Sequence, residues 1–282
     1  MKRLLLQFAL LAIGAFYCPQ AQAQELHLYK EIDTLKLYVE VYAPSTMTDS
    51  AELPAMVFFF GGGWKSGTRE HFIHHAKYFA QRGIVCFLAD YRIQNKHQTD
   101  PFTSLMDAKS ALRFIRSHAQ EFKIDPDKII ASGGSAGGHL AAATALIKAY
   151  DAPSDDLAVS CVPNALVLFN PVIDNGPGGY GFERVGEAFP NFSPLHNIRE
   201  GAPPTIIFLG TNDRLIPVET AEYYTKVMER VGSRCELKLY EEGKHGFFNY
   251  QFFEHYQATV EEADLFLQSL GYLQAEPAVE IK

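Results

Sequence analysis

Ser135 stands in Gly133-Gly134-Ser135-Ala136-Gly137, with Gly138 directly after. A serine between glycines on a G-x-S-x-G spacing can sit on a tight, strained turn, its hydroxyl free to act as a nucleophile once a base takes the proton. Downstream lie Asp213, in Gly210-Thr211-Asn212-Asp213, and His245, in Gly243-Lys244-His245-Gly246. A histidine can serve as that base and an aspartate can hold its tautomer, so the order Ser…Asp…His carries the parts of an acyl-transfer site. Asp174, in Asn170-Pro171-Val172-Ile173-Asp174, competes with Asp213 for the acid's place.

A second stretch reads Phe58-Phe59-Phe60-Gly61-Gly62-Gly63-Trp64-Lys65-Ser66-Gly67. A P-loop needs glycine directly before its lysine, and here Trp64 intervenes; a dinucleotide fingerprint needs glycine where Ser66 stands. Both nucleotide readings fail on spacing. A plain turn remains, or a loop whose bare N–H groups point at an anion. His71 and His75 share a helical face but lack the glutamate of H-E-x-x-H and H-x-x-E-H sites, so neither a metal nor another cofactor is expected. The acidic stretch Asp151–Asp156 reads as a solvated loop.

These residues need a frame. Leu26–Asp33 and Leu35–Ala43 alternate like an antiparallel hairpin with one solvated face. Ala55–Phe60, Ile84–Ala89, Lys128–Ala131, Ala165–Phe169 and Thr205–Leu209 are short apolar runs, as strands buried on both faces of a parallel sheet would be. Helical patterns lie between or after them at His71–Gln81, Phe102–Phe122, Gly137–Tyr150 and Val218–Val231. A strand at Glu236–Tyr240 and a helix near Phe252–Leu270 close the pattern. Such alternation predicts a doubly wound α/β fold whose ligands bind beyond the carboxyl ends of the strands. Ser135, Asp213 and His245 each follow a predicted strand.

Met1-Lys2-Arg3, the apolar stretch Leu4–Tyr17 and Ala21-Gln22-Ala23 have the form of a secretory signal peptide cleaved after Ala23, the apolar part being too short to span a bilayer. The expectation is a secreted or periplasmic protein with one domain over residues 24–282. Losing Lys2 and Arg3 would take the net charge from −8 to −10, against a nucleic-acid partner. Cys86, Cys161 and Cys235 are then an odd number. They read as buried free thiols, with a Cys161–Cys235 pair as the alternative.

Taken together, Phe60–Trp64, Asp90-Tyr91-Arg92, Asp125–Lys128, Gly133–Gly138, Gly210–Asp213 and Lys244–Gly246 resemble the α/β-hydrolase fold, and within it the acetyl-esterase branch related to hormone-sensitive lipase. The resemblance covers about residues 35–270. It implies Ser135 as nucleophile, His245 as base, Asp213 as acid, and an oxyanion hole from the N–H groups of Gly62, Gly63 and Ala136. Phe60 stands where the family places a histidine, so that histidine's bracing hydrogen bonds are expected to be lost. Trp64 either lines the substrate site or packs beside the loop, and Phe247 is a candidate wall for the acyl group. The loop 174–204 lies where relatives insert a lid but is short for one, implying little or no cap. The implied activity is hydrolysis of short acyl esters, with acetyl or feruloyl groups on plant polysaccharides as the natural substrate. A serine peptidase on this fold would carry a large extra domain. A non-catalytic binding protein would typically have lost one of the three residues.

Overall fold

The computed structural model describes residues 25–45, 47 and 52–282; the expected signal peptide, 1–23, lies outside the described residues. β1 (Glu25–Ile32) and β2 (Leu35–Tyr42) pair antiparallel. β1 leaves Leu26 and Leu28 exposed, whereas β2 is buried from Val39 to Tyr42. β3 (Leu53–Phe59), β4 (Val85–Ala89), β5 (Ile124–Gly134), β6 (Ala165–Phe169), β7 (Thr205–Gly210) and β8 (Cys235–Tyr240) complete one eight-stranded sheet. Its order is β1-β2-β4-β3-β5-β6-β7-β8; β2 runs antiparallel to β4, and every pair from β4 to β8 is parallel.

The helices are α1 (Ile73–Gln81), α2 (Gln94–His97), α3 (Pro101–Ser117), α4 (Ala119–Phe122), α5 (Ala136–Leu146), α6 (Phe182–Val185), α7 (Val218–Arg230) and α8 (Phe253–Ser269). Successive side chains of a strand point to opposite faces, and β3 shows the consequence. Val57 and Phe59 join one core with residues of α3, α5 and α7. Met56 and Phe58 join the other with residues of α1 and α8. Covered on both faces, the central strands bury nearly every side chain, which is why they read as unbroken apolar runs.

Several expectations change. The helix expected over Phe102–Phe122 divides at His118 into α3 and α4, and the one expected to reach Tyr150 ends at Leu146. β5 begins before its apolar run: the register jumps from Leu53↔Ile124 to Ala55↔Ile129, so residues 125–128 stand out of the ladder. Asp151 and Asp155 are not a solvated loop. Both accept from Arg113, at 2.6 and 2.7 Å, and Asp155 also accepts from Ser110 at 2.7 Å. Cys86, Cys161 and Cys235 are buried free thiols, so the Cys161–Cys235 pair is not formed. Among the described residues no helix is long and apolar enough to cross a membrane.

The helix after Ser135 also sets an acid limit. All eleven residues of α5 are buried, His139 among them, its Nε2 donating to the Phe192 carbonyl at 3.0 Å. Burial, opposed only in part by that bond, holds the imidazole down to about 3. An unfolded histidine titrates near 6.5, so below that pH the unfolded chain takes up a proton the folded one refuses. Stability present above about 6.5 is therefore lost as pH falls toward 3, by up to about 1.4 kcal/mol per pH unit for this group. Urea midpoints measured from pH 7 to 4.5 should fall with pH, and His139→Gln should flatten that slope; an unchanged slope would contradict the assignment.

Candidate active site

At the end of β5 the chain turns at Ser135 with φ 54° and ψ −119°, a left-handed backbone that non-glycine residues rarely adopt. Three bonds hold it there. The Ser135 N–H donates to the Phe169 carbonyl at 3.0 Å, and its own carbonyl accepts from His139 and Val172 at 3.0 and 3.1 Å. The glycines of the motif answer to the same crowding: a Cβ on Gly137 would stand 2.0 Å from the Phe59 carbonyl oxygen. The turn thus needs a close backbone approach that larger residues would block.

His245 Nε2 lies 2.8 Å from Ser135 Oγ, and His245 Nδ1 lies 2.7 Å from Asp213 Oδ2. Asp213's side chain is fully buried, and its other oxygen accepts the N–H groups of Leu215 and Ile216 at 2.8 and 3.1 Å. A carboxylate fixed by two backbone donors can only present its second oxygen to the imidazole, which puts the ring proton on Nδ1 and bares Nε2 toward the serine. Asp174 is elsewhere: it accepts from Gly176 at 2.8 Å and faces His196 at 3.8 Å. The structure therefore brings Asp213, not Asp174, to the histidine. The turn bearing His245 is tied to the sheet by Asn170 Oδ1, which accepts the Gly246 N–H at 2.9 Å.

The glycine loop lies against the elbow. A Cβ on Gly61 would be 3.1 Å from the Gly134 carbonyl oxygen and 3.6 Å from Ser135 Cβ. Gly62 has φ 123°, and a side chain there would strike the Ser66 carbonyl at 2.1 Å. Neither the Gly62 nor the Gly63 N–H donates to a described carbonyl. Ala136 opens α5, where an N–H has no intrahelical acceptor. The N–H groups of Gly62, Gly63 and Ala136 are thus left without a backbone acceptor among the described residues, as donors kept for an oxyanion would be.

Phe60 itself supplies no bracing side-chain bond, as expected, but the loop is braced from elsewhere. His71 Nδ1 accepts the Gly61 N–H at 3.0 Å, and Tyr91 donates to the Phe60 carbonyl at 2.6 Å. The brace comes from ten residues along the chain, and the only hint of it was a histidine cluster that resembled part of a metal site. The two aromatic candidates are corrected. Trp64 is 1 % exposed, edge-on to His139 at 5.0 Å, with the Arg184 guanidinium over its face at 5.0 Å, so the packing alternative holds. Phe247 is buried against Tyr240 and His255 and cannot wall an acyl site. Its neighbour Phe248 is the ring behind the elbow, 2.5 Å from where a Gly134 Cβ would stand. Among the described residues no group of three His, Cys, Asp or Glu side chains could hold a metal ion.

Residues 39–174 match the BD-FAE family model and residues 169–270 match the dienelactone hydrolase family model. A solved structure of Thermogutta terrifontis esterase 2, phosphoramylated by tabun, superposes with a TM-score of 0.87 at 43 % identity, over 92 % of this chain and 99 % of that one. A butyrate-bound structure of that esterase gives 0.85 at 41 %, over 91 % and 96 %. The acetylxylan esterase of Xylanibacter ruminicola is 27 % identical over 77 % of this chain and 45 % of its own length. Esterase LipC of Mycobacterium tuberculosis is 28 % identical over 69 % and 53 %. The chain spans about half the length of the curated relatives it matches. With a solved esterase matched along nearly its whole length, and an eight-stranded sheet that delivers serine, aspartate and histidine to one edge, the chain belongs to the α/β-hydrolase esterases.

Proposed function

We propose that this protein is a serine carboxylesterase that cleaves short acyl groups from saccharide alcohols and is secreted or periplasmic. The observation that carries the esterase reading is the relay of two hydrogen bonds, 2.8 and 2.7 Å, from Ser135 through His245 to Asp213. Ser135 Oγ attacks the ester carbonyl carbon while His245 Nε2 takes its proton. The carbonyl oxygen, now an anion, is held by the N–H groups of Gly62, Gly63 and Ala136; one such donor can be worth about 10²–10³ in kcat. Collapse of the tetrahedral intermediate breaks the bond to the alcohol, which leaves with the proton from His245. Water then repeats the sequence on the acyl-serine, releasing the acid and restoring the hydroxyl.

Two lines support the substrate. The 174–204 segment folds down on the glycine loop: Phe192 is fully buried, and Arg184 donates to the Gly63 carbonyl. Little room is left for a long acyl tunnel, and the solved relative has been seen with propionate and with butyrate bound. Beside that loop lies a groove of about 610 Å³ whose lining includes Gln94, Gln98, Thr99, Asp100, Thr103 and Arg184, polar groups able to exchange hydrogen bonds with sugar hydroxyls. One curated relative is named an acetylxylan esterase.

Ser135→Ala should abolish ester hydrolysis without lowering the melting temperature. Asp213→Asn should cost on the order of 10⁴ in kcat, because the imidazole tautomer is then wrong, and Asp174→Asn far less. The reverse ranking would put the acid on the wrong strand. On p-nitrophenyl esters, kcat/KM should be highest from acetyl to butyryl and fall steeply by octanoyl, since a dense interior yields little once the chain meets it. An optimum at decanoyl or longer would contradict the short acyl site. Good turnover of p-nitrophenyl acetate with no acetate released from acetylated xylan would remove the saccharide assignment alone. Expressed with its first 23 residues in a secreting host, the exported protein should begin at Gln24 on N-terminal sequencing. Retention of residues 1–23 in the cell fraction would contradict export.

A further inference from the structure

We propose that His71 and Asn249 are positioning residues for ester hydrolysis, orienting the oxyanion-hole loop and coupling it to the turn that carries the base. This rests on the esterase reading above. The peptide unit joining Phe60 to Gly61 is gripped at both edges: its carbonyl accepts from Tyr91 at 2.6 Å and its N–H donates to His71 Nδ1 at 3.0 Å. Tyr91 is itself fixed, buried and stacked on the Phe60 ring at 4.0 Å. A peptide unit is planar, so pinning both edges sets the direction in which Gly62 and Gly63 leave it.

Gly62 and Gly63, at φ 123° and 62°, have no side chains to hold them. The Gly62 carbonyl accepts the N–H groups of Lys65 and Ser66 at 3.0 and 3.1 Å and the Gly63 carbonyl accepts from Arg184, so the turn itself is closed. Without the grip at its root the turn could tilt as a unit, aiming the N–H groups elsewhere. An oxyanion hole works only when its donors are already aimed, so the orientation of the 60–61 peptide becomes a rate matter.

The second half of the device is the tautomer. If Nδ1 accepts, a neutral imidazole must carry its proton on Nε2, and that nitrogen lies 2.6 Å from Asn249 Oδ1. Asn249 can therefore select the tautomer His71 needs, much as Asp213 does for His245. Burial keeps the His71 ring in its neutral form, with the Asn249 bond opposing in part. Asn249 stands four residues after His245, in a turn closed by Phe247 N–H to the Lys244 carbonyl and Asn249 N–H to the Gly246 carbonyl, at 2.9 and 3.1 Å. One turn thus supplies the base through His245 and steadies the oxyanion donors through Asn249, His71 and Gly61.

The test is steady-state kinetics on p-nitrophenyl acetate with four proteins: wild type, His71→Leu, His71→Asn and Asn249→Leu. His71→Leu removes the acceptor for Gly61 and should lower kcat by about 10²–10³ while KM changes less than about threefold, the signature of an interaction made in the transition state. Asparagine places an oxygen close to where Nδ1 stood, so His71→Asn should recover most of that loss. Asn249→Leu frees the tautomer and should lower kcat about tenfold, and it serves if His71→Leu does not fold. Phosphorylation of Ser135 by paraoxon should slow in the same ranking. Folded His71→Leu with wild-type kcat, or His71→Asn no better than His71→Leu, would overturn the proposal, as would a rise in KM alone. Nitrogen-15 NMR of the ring separates this from the esterase reading. It should show a proton on Nε2 and none on Nδ1 at neutral pH whether or not the protein hydrolyses esters, and a protonated Nδ1 would overturn it.

Discussion

A single left-handed residue organises the structure. Ser135 at φ 54° costs about 1–3 kcal/mol relative to an ordinary backbone, and such strain persists only where its surroundings over-determine it. Here they do: β5 feeds the turn and buried α5 leaves it. β6 accepts its N–H through Phe169, and Val172 and His139 hold its carbonyl. Phe169 and Val172 stand 34 and 37 positions further along the chain, and the parallel sheet is the means by which they return to the turn with so little slack. Remove the packing of α5 under the sheet and the serine would relax to a common conformation, its hydroxyl turned from His245.

The other parts of the site are backbone features as much as side chains. The aspartate is aimed by two N–H groups at the end of the Asp213–Ile216 turn, and the histidine turn is tied by Asn170 to the end of β6. The glycine loop is gripped at its root by the 60–61 peptide unit, and further on by bonds to the Gly62 and Gly63 carbonyls. These contacts all lie beyond the carboxyl ends of the parallel strands, where a doubly wound fold places its ligands.

How much of this was legible depended on whether the signal was local. The central strands announced themselves as apolar runs, and the serine motif carried its own glycines because Gly137 has no space for a Cβ. The start of β5 was hidden because residues 125–128 leave the ladder and are polar. The role of His71 is hidden for a different reason: its partners, Gly61 and Asn249, are 10 and 178 residues away, and helical spacing to His75 suggests a shared face instead. That neighbour is boxed among Phe72, Phe169 and Tyr256 in the core. Trp64 and Phe247 show a related limit, since an aromatic residue beside a motif does not reveal which side of the backbone its ring takes. Asp151 and Asp155 looked solvated because Arg113 lies about 40 residues upstream.

The central claim is that Ser135 carries the acyl group between the two halves of the reaction. Mass spectrometry of protein quenched within milliseconds of mixing with excess p-nitrophenyl butyrate tests it most directly. A single butyryl group on the peptide containing Ser135, vanishing as turnover ends and absent in Ser135→Ala, is the result the structure requires. Full ester turnover with no adduct on that peptide, or an adduct on another residue that persists in Ser135→Ala, would contradict it.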